Sequence, residues 1–212
     1  MNALRIFLSG TDTGIGKTWI SARLLAMAPG PRKAYLKPVQ TGVDGGDDDA
    51  AWVASRVPGV EARAILRFGK PLAPLFAARA EGAVLDAASL TDRCRKAIPE
   101  SGDLVIEGAG GLLVPITEEW TMADLARALE LPLVLVARAG LGTLNHTLLS
   151  LEAASNRKLP VAAVILNPGP DPVDLSLARE NRDYLAAKTV APVFLWEEAM
   201  AAAFLRSILM GR

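Results

Sequence analysis

The run Gly10-Thr11-Asp12-Thr13-Gly14-Ile15-Gly16-Lys17-Thr18 follows an apolar stretch, Leu4 to Ser9, and opens a segment of helical spacing, Lys17 to Met27. A strand, a glycine-rich turn and a helix in that order form a cradle for phosphates. Glycines let backbone N–H groups turn inward, the helix N-terminus contributes the positive end of its dipole, Lys17 can reach terminal phosphates and the Thr18 hydroxyl can ligate magnesium. Five residues separate Gly10 from Gly16, so Thr11 holds the slot where a standard P-loop has its first glycine. A turn that bound nothing would not need the Lys17-Thr18 pair. The segment therefore implies a nucleoside triphosphate with magnesium.

Around this motif, short leucine-rich or β-branched runs alternate with longer helical patterns, as in a parallel sheet with crossover helices. Predicted strands are Leu4 to Ser9, Ala34 to Lys37, Leu104 to Glu107, Leu133 to Ala137, Val161 to Leu166 and Val193 to Trp196. Their continuous apolar character fits strands covered on both faces. Predicted helices are Lys17 to Met27, Asp49 to Ser55, Ala87 to Ala97, Met122 to Ala128, Thr143 to Ser155, Leu175 to Ala187 and Ala199 to Leu209, with a capping-box pattern at Thr121 and Asp124. Gly42 to Asp49 and Asn167 to Asp174 read as surface or functional loops. The expected class is α/β: a mostly parallel sheet flanked by helices on both faces, a P-loop NTPase-like fold in which residues 1–212 form a single domain.

Charge narrows the partners. With 23 basic and 23 acidic side chains the chain is formally neutral, and a nucleic-acid partner would call for a basic stripe. Apolar runs such as Leu131 to Ala137 and Leu159 to Leu166 are too short to span a bilayer. The chain enters its first strand without the pattern of a secretory signal, so a cytoplasmic location is expected. Cys94, the one cysteine, lies in a segment of helical spacing and is expected to be a half-buried or surface thiol rather than a nucleophile.

Other strand ends carry further candidates. Glu107 closes an apolar strand and precedes Gly108-Ala109-Gly110-Gly111, at the carboxyl edge where open parallel sheets bind ligands. It is placed to hold magnesium opposite Thr18, against the plainer reading of an exposed acidic strand end. Lys37-Pro38-Val39-Gln40-Thr41-Gly42 closes another strand, and Lys37 could face the same crevice or lie unpaired at the surface. Asp47-Asp48-Asp49 opens a helix, where capping alone explains acids. Gly140 to His146 is a glycine turn into a helix, a second N-terminus able to receive an anion. His146, the sole histidine, has no partner at metal-ligand spacing and reads as a structural hydrogen-bonder.

Taken in order, Gly10 to Thr18, Lys37 to Gly42, Glu107 to Gly111 and Leu141 to His146 closely resemble the dethiobiotin synthetase family. The resemblance implies an ATP-dependent cyclo-ligase that joins carbon dioxide to 7,8-diaminononanoate, giving dethiobiotin, ADP and phosphate in the penultimate step of biotin synthesis. It implies a carbamate whose oxygen attacks the γ-phosphate, and a mixed anhydride opened by the neighbouring amine. Carried over by position, Lys17, Lys37 and Thr13 would be catalytic; Thr18, Asp49 and Glu107 would hold Mg2+. The nucleotide would meet Asp12, Thr13, Gly14, Ile15, Gly16, Lys17, Thr18, Glu107, Gly108 and Gly110, with Asn167 reading adenine and Phe194 and Leu195 bordering the base. Thr41, where the family often has serine, would contact substrate. Leu141, Gly142, Thr143, Leu144 and Asn145 would receive the substrate carboxylate from a neighbouring subunit, which implies a homodimer with sites at the interface. The segment from Glu61 to Gly82 matches only loosely, and nothing is carried across there.

Two rivals compete. Partitioning ATPases of the deviant P-loop type resemble Lys-Gly-Gly-x-Gly-Lys-Thr, and alignment on Lys17-Thr18 puts Asp12 where their signature lysine belongs. Corrinoid amide synthases with a related nucleotide domain carry an extra glutamine-hydrolysing domain, for which this chain has little room.

Overall fold

The computed structural model describes residues 3–169, 174–196 and 204. Its centre is β1 (Arg5–Gly10), with β4 (Asp103–Gly111) on one side and β5 (Leu133–Arg138) on the other. Beyond β4 lie β2 (Lys33–Thr41) and then β3 (Val60–Phe68); beyond β5 lie β6 (Val161–Asn167) and β7 (Val193–Leu195), in the order β3-β2-β4-β1-β5-β6-β7. Every ladder is parallel. The strand order reverses at β1, so the crevice of the switch point opens at its carboxyl end, where the glycine-rich loop begins.

Both faces of the sheet are covered. Leu4, Ile6, Leu8, Tyr35, Val105, Val134 and Ile165 pack with residues of α1 (Lys17–Met27) and α2 (Asp49–Arg56), together with Trp196 and Phe204. Phe7, Leu36, Ile106 and Leu135 pack on the opposite side. Their cover is α3 (Pro74–Ala80), α4 (Ala87–Ala97), α5 (Met122–Ala128), α6 (Thr143–Asn156) and α7 (Leu175–Ala186). The expected capping box is present on α5: the Asp124 carboxylate accepts from the Thr121 N–H at 2.9 Å and its hydroxyl at 2.7 Å.

Four features differ from the sequence expectation. β3 was not foreseen because it is an edge strand whose half-buried residues are interrupted by exposed Glu61, Arg63 and Arg67, which leaves no apolar run longer than Ala64-Ile65-Leu66. α3, a short helix opened by Pro74, went unforeseen in the same stretch. β2 continues through Pro38 to Thr41, although the expected strand ended at Lys37. Its pairing with β4 stops at Leu36↔Ile106, while pairing with β3 runs on to Thr41↔Phe68, so the missing N–H of Pro38 falls where one side of the strand is free. Cys94 is fully buried in the core, not half-exposed, and burial pushes its thiol up to about 12. That protonated thiol is no nucleophile. The helix expected over Ala199 to Leu209 lies outside the described residues except for Phe204.

Asp103 ties the base of the sheet together. Fully buried at the start of β4, its carboxylate accepts from the Leu4 N–H at 2.7 Å and the Gly30 N–H at 2.8 Å. Asp103→Ala would leave those donors without an acceptor, a loss of about 3 kcal/mol. For a chain of this size the expected fall in melting temperature is roughly 6–12 °C. Thermal denaturation followed by circular dichroism checks this; a fall under about 2 °C would show that water replaces the carboxylate without penalty.

Candidate active site

The loop between β1 and α1 is shaped by glycine. Gly16 has φ +87°, and a Cβ there would stand 2.2 Å from the Asn167 amide nitrogen. That nitrogen donates to the Ile15 carbonyl at 2.8 Å, and the Asn167 side-chain oxygen accepts from the Gly169 N–H. Asn167, at the end of β6, thus clamps the back of the loop. Inside the loop the Lys17 ammonium donates to the Asp12 carbonyl at 2.9 Å. The Asp12 carboxylate accepts from the Thr13 N–H at 2.7 Å and pairs with Arg138 at 2.8 Å.

Thr18, in the first turn of α1, brings the acids together. Its hydroxyl stands 2.9 Å from Asp49 Oδ1 and 3.0 Å from Glu107 Oε1. A hydroxyl has one proton, so it can satisfy only one of these two oxygens as a donor. Lys37 bridges the same pair, its Nζ 2.5 Å from Asp49 Oδ2 and 2.8 Å from Glu107 Oε1. Glu107 and Lys37 are both buried, so neither is the exposed strand-end group that composition alone would allow. Of the three consecutive aspartates, Asp48 caps α2 by accepting from the Ala51 N–H at 3.0 Å and pairs with Arg67, whereas Asp49 turns toward the cluster.

Opposing forces act on the two lysines. Burial pulls Lys17 down to about 8, with Lys37 adding to the fall and Glu107, Asp49 and Asp12 resisting it. Burial would also lower Lys37, but Glu107 and Asp49 outweigh it and hold its ammonium above the ordinary value. Lys37 is therefore a fixed cation, and Lys17 is poised to gain or lose its proton near neutrality.

Two residues that the sequence reading passed over complete the cluster. Ser21, three residues after Thr18 on the same face of α1, donates to Glu107 Oε2 at 2.7 Å. Gln40, buried in β2, accepts the Asp49 N–H at 3.1 Å and donates to the Thr41 carbonyl at 2.9 Å, fixing the start of α2. The spacing of Ser21 was a usable signal; that of Gln40 was not, since it depends on where α2 docks.

The remaining candidates lie around this centre. Gly108 offers its carbonyl to Lys37 at 3.4 Å, and Gly110 has φ +60° with a Cβ position 3.3 Å from Thr13 Oγ1. Phe194 packs edge-on against Phe204, while Leu195 is buried in the core. The first turn of α6 makes no hydrogen bond to the Lys37–Glu107 cluster: Leu141 is 89% exposed, Gly142 has φ +87°, and Thr143 meets Thr147 at 3.3 Å. One turn on, His146 lines a cavity of about 400 Å3 with Thr11, Asp12, Thr13, Gly111, Val114 and Pro115.

The oxygens of Thr18, Asp49 and Glu107 are hard donors of the kind magnesium prefers. Among the described residues no group of three or more His, Cys, Asp or Glu could hold a metal unaided. That suits an ion held by one or two carboxylates with phosphate and water supplying the rest. Also among the described residues, no helix is long and apolar enough to cross a membrane.

Comparison with known proteins identifies relatives of the whole chain. A family model described as an AAA domain matches residues 4–195. An ATP-dependent dethiobiotin synthetase of Anaeromyxobacter dehalogenans (strain 2CP-C) is 43% identical over 206 residues, covering 92% of each chain. One from Saccharopolyspora erythraea is 42% identical over 190 residues, covering 89% of this chain and 84% of that one. Among solved structures, a ParA family ATPase from Chlorobium tepidum TLS aligns over 99% of this chain and 90% of its own, with TM-score 0.53 and 14% identity. The septum site-determining protein MinD of Pyrococcus horikoshii OT3, solved with Mg-ADP, aligns over 97% and 86%, with TM-score 0.51 and 16% identity. At such identities these two show a shared P-loop NTPase fold and nothing finer.

Proposed function

The chain belongs to the ATP-dependent dethiobiotin synthetases, and from that premise we propose that residues 1–212 act as one domain closing a cyclic urea on 7,8-diaminononanoate. The observation that carries the reading is the meeting of Thr18, Lys37, Asp49 and Glu107 beside the glycine-rich loop. One amine of the diamine attacks carbon dioxide and, after losing a proton, becomes a carbamate. A carbamate oxygen attacks the γ-phosphorus of ATP and ADP leaves; the second amine then attacks the carbamoyl carbon, expelling phosphate and closing the ring.

Each step moves negative charge, and the chain supplies fixed positive charge and N–H groups to meet it. Lys17 serves the terminal phosphates, Lys37 the carbamate and the transferring phosphoryl group, and Thr13 the groups between them. Thr18, Asp49 and Glu107 would hold Mg2+, which when bound neutralises charge on the β- and γ-phosphates. The three N–H groups of Lys37 face Asp49, Glu107 and the Gly108 carbonyl, and at least one must turn from these to serve the substrate, so the pairing seen here is a resting arrangement. Asp12 to Thr18, Glu107, Gly108 and Gly110 surround the phosphates, with Asn167, Phe194 and Leu195 toward the base. Thr41 and the first turn of α6 in a second subunit, Leu141 to Asn145, take the substrate chain. A homodimer in the cytoplasm follows from that reading.

The direct test is phosphate release from ATP and magnesium with bicarbonate, with and without the diamine, the product being weighed by mass spectrometry. Release that requires the diamine and yields dethiobiotin is expected. Diamine-independent release, or none, would remove this reaction.

Lys17 makes binding proton-linked. Phosphates favour its charged form, so bound nucleotide raises its pKa above the value of about 8. Below that value the lysine is already charged and binding takes up nothing; above it, binding draws a proton from solution. Calorimetry of ADP binding in buffers of different ionisation enthalpy is expected to show up to about one proton taken up near pH 9, falling toward zero near pH 6.5. Proton release near pH 9 would contradict the assignment.

A further inference from the structure

Tyr35 sits in the core beside this cluster. Its residue is fully buried, and among the described residues the phenol oxygen makes no hydrogen bond of full geometry, although Glu107 lies near enough to act on it as an acceptor. A buried hydroxyl without a partner costs about 1–3 kcal/mol. Phenylalanine would fill the same space without that cost, so the oxygen calls for an explanation.

Strand register supplies its neighbour. Tyr35 pairs with Val105 across β2 and β4, and both pack on the α1 and α2 side of the sheet. Two residues further along each strand, on the same face, are Lys37 and Glu107. Glu107 is thus the diagonal neighbour of Tyr35, within reach of an aromatic side chain. Burial and then the Glu107 charge hold the phenol well above its usual range, so the oxygen keeps its proton as a donor.

Glu107 has an open place for that donor. Its Oε1 accepts from Lys37 and Thr18, whereas the one full hydrogen bond to Oε2 among the described residues comes from Ser21. An ionised carboxylate offers about four acceptor positions. When Thr18 and Lys37 turn to metal and substrate, two of the three donors are withdrawn from a fully buried charge.

We propose that Tyr35 is a positioning residue whose hydroxyl donates to Glu107 and, with Ser21, holds that carboxylate in place when Lys37 and Thr18 leave it. The proposal rests on Glu107 being a metal ligand. It gives the orphan hydroxyl a role in one state of the catalytic cycle while leaving it unsatisfied in the other.

The test is Mn2+ titration by electron paramagnetic resonance in the presence of ADP, on the full chain and on Tyr35→Phe, Ser21→Ala, the double variant and Glu107→Gln. Tyr35→Phe is expected to bind Mn2+ about tenfold more weakly, with a melting temperature equal to or above that of the parent. The two hydroxyl deletions are expected to be non-additive, because they share one carboxylate. Mn2+ affinity within twofold of the parent in Tyr35→Phe, or strict additivity, overturns the proposal provided Glu107→Gln weakens binding. Unchanged binding in Glu107→Gln overturns the metal reading itself, and the proposal with it.

Discussion

Lys17→Gln is expected to reduce turnover by about a thousandfold or more. Lys17 is buried beneath the loop, and no other lysine or arginine reaches the Asp12 carbonyl that its ammonium holds among the described residues. Removing one neutral donor from a preorganised anion site costs about 10²–10³ in rate. Removing a full charge from a dry site costs more, because the interaction there is weakly screened. Folding should not suffer. The folded pKa is about 8 against an ordinary value of 10.5, so protonated Lys17 is a cost to the folded state below about pH 8, a cost relieved as pH rises toward 10.5. At neutral pH glutamine removes that cost, and the melting temperature should hold or rise while steady-state phosphate release collapses. Near-normal turnover would sink the catalytic assignment; a collapse in both would make Lys17 a folding residue.

The same cluster shows which parts of the molecule were legible in the sequence. Lys17 and Thr18 could be read because they sit at a fixed offset from glycines on a strand-to-helix junction, and Glu107 because it precedes a run of glycines, although β4 continues past it through those glycines to Gly111. Ser21 could have been read from helical spacing alone. Gln40 and Tyr35 could not, because their neighbours are set by the docking of α2 and by the register of β2 against β4. Strands β1, β4, β5, β6 and β7 were evident from their apolar character, with ends shifted by a residue or more. Edge strand β3 was hidden by polar residues on its open side, and the passage of β2 through Pro38 runs against local propensity until the departure of β4 is known. Asp49 stood apart from Asp47 and Asp48 only by family resemblance, and the capping role of Asp48 now gives that choice a geometric reason.

Lys37→Met should separate the structural from the chemical work of the cluster. The ammonium is the buried bridge between Asp49 and Glu107, at 2.5 and 2.8 Å. Methionine keeps most of the volume but leaves Glu107, itself fully buried, facing Asp49 with hydroxyls as its hydrogen-bond donors among the described residues and Lys17 as the remaining cation that acts on both. Breaking a buried ion pair from one side costs about 3–5 kcal/mol, which for a chain of this length is a fall of roughly 6–20 °C in melting temperature. Magnesium should recover much of that fall in the variant, since a divalent cation at Thr18, Asp49 and Glu107 replaces the missing positive charge. Turnover should stay lost with magnesium present, because no ammonium remains to meet the carbamate. Melting curves with and without magnesium, read beside phosphate release, give both halves. Recovered stability with recovered turnover would reduce Lys37 to a counter-ion, and an unchanged melting temperature would mean the two carboxylates are not held as a charged pair.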